Sequence, residues 1–119
     1  MKNKYTVLIT TSVFYILFVI GADKKHGYEI MKCVKEISNG KISMSPGTLY
    51  GSIKRMLYDG LIKEAGEEID PTINERRRYY CLTDFGKSCL SSELQRYLEI
   101  LDYAKKQKLI TQVDPNLSI

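Results

Sequence analysis

Hydrophobic and polar positions alternate in distinct rhythms along the chain, and each rhythm predicts an element. The run from Tyr5 to Ile20 is apolar except for Thr6, Thr10, Thr11 and Ser12, the pattern of a helix buried on most sides in a small core. Its three clustered hydroxyls belong where a partner helix comes close or at a polar pocket. Gly21 and then Asp23-Lys24-Lys25 supply a stop and an exposed turn. From Gly27 to Ser38, Tyr28, Ile30, Met31, Val34 and Ile37 recur at helical spacing, and Asn39-Gly40 ends that helix. After a short extended linker, Ser45 is an N-cap and Pro46 takes the first helical position, where its missing N–H costs nothing. This third helix runs to about Asp59. Leu49, Ile53, Met56 and Leu57 form its apolar stripe, Thr48, Gly51, Lys54, Arg55 and Tyr58 point the other way, and Tyr50 lies on the margin.

The period then changes. Residues 61–65 and 76–82 have the length and composition of two short strands, and the polar stretch 66–75 between them reads as a long hairpin tip. Thr83 caps a last helix that continues to about Lys108, with Leu90, Leu94, Tyr97, Leu101 and Ala104 in a heptad-like seam and Leu98 beside it. A helix this long with one apolar stripe needs a partner, and a second copy of the chain is the simplest one. Helix, helix, capped helix, hairpin and long helix in this order predict a mainly α fold with a small β-hairpin, a winged helix-turn-helix plus a long C-terminal dimerisation helix. In such a fold residues 1–82 would be a winged helix-turn-helix DNA-binding domain, with 1–20 also packing on the dimer interface. Residues 83–108 form the dimerisation helix and 109–119 a tail.

Composition narrows the function. The 119 residues leave room for one core. The three cysteines, Cys33, Cys81 and Cys89, form no CxxC pair, so a disulfide framework or zinc ribbon is disfavoured and a reducing cytoplasm fits better. One histidine, His26, and no phosphate-binding glycine loop leave no catalytic set, no metal site and no cofactor; His26 reads as a capping or packing residue. The formal charge of +4 is modest, but its distribution is uneven. Residues 61–75 carry one lysine against five acids, and Arg76, Arg77 and Arg78 follow directly. These arginines either pair with the acids across the hairpin or offer a positive point to a partner. Residues 1–22 also resemble a signal peptide or a short anchor. The run of 16 residues, interrupted by four hydroxyls, is short of the roughly 20 apolar residues that a membrane span needs.

In a helix-turn-helix the third helix would present Thr48, Tyr50, Gly51, Lys54 and Arg55 outward. Small residues allow close approach to a groove wall, and the cations and the tyrosine hydroxyl reach phosphates or base edges. An amphipathic surface helix, or a winged helix serving only protein interaction, would show the same stripe.

Four stretches resemble the PadR family of transcriptional regulators. They are His26-Gly27-Tyr28-Glu29-Ile30, Ser45-Pro46-Gly47-Thr48-Leu49-Tyr50, Asp59-Gly60-Leu61-Ile62, and Arg77-Arg78-Tyr79-Tyr80 followed by Leu82-Thr83 and Gly86. The similarity covers about residues 5 to 105. It implies a cytoplasmic homodimeric repressor on a palindromic operator. The resemblance places Thr48, Tyr50 and Lys54 on DNA and Arg77 or Arg78 beside the phosphates, and with the outward face and start of the third helix the expected DNA-binding set is Ser45, Thr48, Tyr50, Lys54, Arg55, Arg77 and Arg78. Leu90, Leu94, Tyr97, Leu98 and Leu101 would form the dimer interface. The single C-terminal helix resembles the smaller subfamily. The acidic hairpin tip departs from the pattern and favours the Arg cluster over the tip as the contact. The first and last helices would meet across the dimer axis, and Ser12, Tyr15 and Tyr97 would border a cleft for a small aromatic or hydrophobic effector.

Overall fold

The computed structural model describes residues 7–72 and 74–110. Its elements are α1 (Thr11–Ala22), β1 (Lys25–His26), α2 (Gly27–Ile37), α3 (Pro46–Tyr58), β2 (Ile62–Asp70), β3 (Glu75–Leu82) and α4 (Asp84–Lys106). The three strands form an antiparallel sheet in the order β1-β3-β2.

The helix starts follow the local chemistry. Each of α1 to α4 has a side-chain cap that accepts from a backbone N–H of the first turn: Thr10, His26, Ser45 and Thr83 respectively. At α2 the cap is reciprocal. His26 Nδ1 accepts from Glu29 N–H at 3.3 Å, and Glu29 Oε1 accepts from His26 N–H at 3.1 Å. Asn39 and Gly40, at φ 54° and 78°, close α2 in the left-handed region.

The first helix differs from the expected one. It begins at Thr11 rather than Tyr5, because Thr10 caps it instead of lying within it. Residues 5 and 6 lie outside the described residues. Gly21 does not stop the helix, which runs to Ala22 with Asp23 as its C-cap. The glycine instead makes room for α4, since a Cβ there would stand 2.8 Å from Leu90 Cδ2. At 12 residues α1 is about 18 Å long, short of the roughly 30 Å hydrocarbon layer. No helix among the described residues is long and apolar enough to cross a membrane.

The core gathers one face from every element of the winged helix. Ile16 and Leu17 of α1, Ile30 and Val34 of α2, Leu49 and Met56 of α3, and Leu61 are fully buried, with Ile62, Tyr80 and Leu82 closing the base of the hairpin. Burying a side chain of this size stabilises by about 1.5–3 kcal/mol, so these few positions dominate the hydrophobic driving force. In α4 only Gly86 is buried.

The hairpin is the second departure. The expected loop 66–75 shrinks to a turn that includes Pro71, Thr72 and Asn74, because β2 continues to Asp70 and β3 begins at Glu75. The acidic run looked like loop, yet each glutamate finds a basic neighbour on β3: Glu67 stands opposite Arg78 and Glu68 opposite Arg77. A bulge between Glu64 and Glu67, with Gly66 at φ 108°, absorbs the change of register. The strand β1 was not expected. Lys25, read as part of an exposed turn, and His26, read as a cap or packing residue, pair with β3, Lys25 with Tyr80 and His26 with Tyr79, and tie the start of α2 to the wing.

Candidate nucleic-acid interface

Helix α3 is anchored by its buried stripe, and this fixes what it exposes. Ser45 Oγ accepts from Thr48 N–H at 3.1 Å and donates to Thr48 Oγ1, so the two hydroxyls hold one another at the helix start. Thr48, Tyr50, Gly51, Lys54 and Arg55 are exposed, as is Tyr58. Arg55 Nε lies 3.3 Å from Asp59 Oδ2; Asp59 is buried while the arginine side chain reaches into solvent.

The wing presents its arginines alternately. Arg76 pairs with Glu67 at 3.2 Å and Arg78 with Glu64 at 3.8 Å, all of these side chains being well exposed. Arg77 turns to the other face. Its Nη1 lies 3.2 Å and 3.4 Å from the two ring nitrogens of His26, and its guanidinium stands 5.9 Å over the Tyr28 ring. The Tyr79 ring meets His26 edge-on at 5.3 Å, carries Lys24 at 5.1 Å on its face, and donates its hydroxyl to Glu68 Oε2 at 3.2 Å. Partial burial, then the hydrogen bond to Glu68, push the Tyr79 phenol above its usual value.

These side chains divide into two grooves. Tyr50 faces Gly27, Tyr28 and the three arginines across a groove of about 270 Å³ between α3 and the wing. Thr48 and Arg55 border another, of about 370 Å³, with Leu8, Thr10 and Val13. Lys54 is exposed but lines neither. The cluster of Lys24, His26, Tyr28 and Tyr79 escaped the sequence reading. Only the pairing of β1 with β3 brings it together, and a two-residue strand carries no periodicity to find it by.

The long helix is used unequally. Leu90 and Leu94 are half-buried, with Phe18 and Gly21 beside them, and Tyr97 meets Phe14 edge-on at 5.1 Å. The first part of the expected seam is therefore partly engaged within the chain. Beyond it, Leu98, Ile100 and Tyr103 are more than half exposed, and Leu101 is partly so. An apolar groove of about 410 Å³ runs between α1, α2 and α4, past Phe18, Ala22, Ile37 and Leu94. Ser12, Tyr15 and Tyr97 are not among its lining residues. Among the described residues no group of His, Cys, Asp or Glu could hold a metal ion.

A capped third helix with an exposed basic face, the helix that precedes it and a basic hairpin wing define a winged helix-turn-helix protein of the DNA-binding class. The profile of the transcriptional regulator PadR-like family matches residues 16–92, and the chain belongs to that family. A PadR family transcription regulator from Clostridium difficile R20291 is similar at 27% identity and TM-score 0.66, over 82% of this chain and 97% of its own. A transcriptional regulator from Clostridium thermocellum shares the fold at 24% identity and TM-score 0.62, over 78% and 88%. Bacillus subtilis PadR, solved in complex with operator DNA, shares it at 21% identity and TM-score 0.64; the match takes in 94% of this chain and 54% of that one. Comparison with curated proteins gives no match.

Proposed function

We propose that two copies of this chain bind a palindromic operator in the cytoplasm and repress the adjacent gene, with no enzymatic step. The observation that carries the reading is the groove shared by Tyr50 and Arg76–Arg78, which sets the exposed face of α3 beside the basic edge of the wing. Ser45, Thr48, Tyr50, Lys54 and Arg55 meet the duplex, and Arg77 and Arg78 flank its phosphates. The solved complex of Bacillus subtilis PadR with operator DNA supports the same use of this fold. Residues 1–82 serve as the DNA-binding unit and 83–108 as the dimer contact, through Leu90, Leu94, Tyr97, Leu98 and Leu101. The exposed apolar residues of distal α4 support that contact. A two-fold pair places its recognition helices about one helical turn, roughly 34 Å, apart.

The test is selection of duplexes from a random pool, followed by fluorescence anisotropy with the selected site. The selected sequences should be palindromic, and log affinity should fall linearly with log salt by about 0.9 per phosphate neutralised. Lys54→Ala should weaken binding and flatten that slope by about one. Selection of no site, or a Lys54→Ala protein that binds like the parent, overturns the assignment.

A second reading concerns relief of repression by a small aromatic or hydrophobic effector at the seam of α1 and α4, with Ser12, Tyr15 and Tyr97 at its border. The Phe14–Tyr15 and Phe14–Tyr97 edge-on contacts, at 5.9 Å and 5.1 Å, favour an aromatic guest. Saturable quenching by an aromatic dye, lost in Tyr97→Ala, is the expected result; quenching that Tyr97→Ala leaves unchanged removes this site.

A further inference from the structure

Gly27 stands at the first position of α2, directly after the His26 cap. Nothing in its own backbone asks for glycine. The left-handed glycines are Gly40, Gly60 and Gly66, and Gly27 is not one of them. Within a helix glycine is a less favourable residue than alanine. The reason for it lies across the fold. A Cβ on Gly27 would overlap the Tyr50 hydroxyl and stand 2.8 Å from Tyr50 Cζ and 3.2 Å from Cε1. The space a side chain would fill is where the tip of the Tyr50 ring rests.

We propose that Gly27 is a positioning residue for DNA binding, its missing side chain being the seat that holds Tyr50 at the mouth of the groove between α3 and the wing. This rests on the DNA-binding reading of Tyr50 given above and adds a residue that touches no DNA itself. The half-exposed ring is the far end of a flexible side chain, so the atoms nearest a methyl group on Gly27 can swing away, as backbone atoms could not. The backbone of Gly27 and the wing arginines border the same groove as the ring, so Tyr50 in its seat faces the cations that flank a phosphate. A tyrosine hydroxyl donating to a phosphate is a charge-assisted hydrogen bond, and losing it weakens binding by about ten- to a hundredfold.

The stability and binding consequences therefore separate. Gly27→Ala should melt at or slightly above the parent temperature and bind the selected duplex about tenfold or more weakly. Tyr50→Ala should bind weakly to a similar degree. The double variant decides the mechanism: adding Gly27→Ala to Tyr50→Ala should cost no further affinity, because the residue being displaced is gone. A helix-start defect acting through α2 alone would instead weaken binding equally in both backgrounds, and that additivity overturns the proposal. So does a Gly27→Ala protein that binds like the parent, or one that fails to fold. If Tyr50→Ala itself binds like the parent, the role of Tyr50 is wrong and the proposal falls with it. If Tyr50→Ala is weak while Gly27→Ala is not, only the seat is wrong.

Discussion

Gly86, in the first turn of α4, offers a sharp test of how that helix is joined to the winged helix. A Cβ at this position would collide with the carbonyl oxygen of Leu61 and stand 2.9 Å from its carbonyl carbon and 3.4 Å from its Cα. These are backbone atoms of a buried residue, and the same carbonyl accepts from Thr83 N–H at 3.1 Å. Relief requires the start of α4 to move away from the α3–β2 turn, at the expense of that bond and of the Thr83 hydroxyl contacts with Gly60 and Leu61. Overpacking of this kind costs about 1–3 kcal/mol and a lost hydrogen bond about 1 more, while alanine in a helix returns about 1. Gly86→Ala should therefore lose about 2 kcal/mol and melt about 8 °C below the parent. The assay is circular dichroism at one fixed protein concentration, since association itself raises the melting temperature. Gly51→Ala is the control. Nothing lies within 4 Å of a Cβ there, so the helix gain stands alone and the melting temperature should rise by a few degrees. A Gly86→Ala protein as stable as the parent, or a Gly51→Ala protein equally damaged, refutes the packing argument.

Three further outcomes are expected. Glu64→Gln removes the acid that pairs with Arg78, and should tighten duplex binding about two- to fivefold at low salt, an advantage that vanishes in high salt; unchanged or weaker binding counts against the wing contact. Leu98→Asp, at an exposed apolar position of distal α4, should shift the protein from dimer to monomer in light scattering, with helicity retained; a dimer that persists moves the interface elsewhere. Burial, then Tyr50, pushes the Tyr80 phenol up, and burial, then Glu93, pushes the Cys89 thiol up. The folded chain thus keeps protons that the unfolded chain releases. Stability from these groups is complete at neutral pH and declines from about pH 8.5 upward in denaturant titrations; stability that rises over that range contradicts the burial of both groups.

The elements with a local cause were legible in the sequence. Ser45-Pro46 and Thr83 mark helix starts because capping needs only a hydroxyl and the next three residues, and both caps stand where the pattern puts them. Asn39-Gly40 likewise carries its own signal. The elements with a distant cause were not legible. The run of glutamates becomes strand only because arginines stand opposite, and Lys25-His26 becomes strand only because Tyr79 and Tyr80 pass beside it. The same division holds at the candidate site. The helical period alone turns Lys54 and Arg55 outward, whereas the seat of Tyr50 on Gly27 and the approach of Arg77 to His26 join residues 23 and 51 positions apart and exist only in the folded chain.

The paired charges of the wing bear on specificity under the proposed function. Arg76 and Arg78 stand within 4 Å of carboxylates on the neighbouring strand, so a phosphate must displace an acid to reach them. Such exposed pairs are worth at most about 1 kcal/mol each, and a well-placed phosphate, held in a charge-assisted and often bidentate contact, exceeds that. A phosphate passing at the wrong height or angle does not. The glutamates also repel a duplex that is not registered on α3. The wing therefore rewards DNA that the recognition helix has already aligned and gives little to DNA in general. This accounts for a chain of net charge only +4 carrying five acids next to its three consecutive arginines. An unopposed arginine cluster would raise affinity for every sequence alike, and with it the occupancy of the wrong sites.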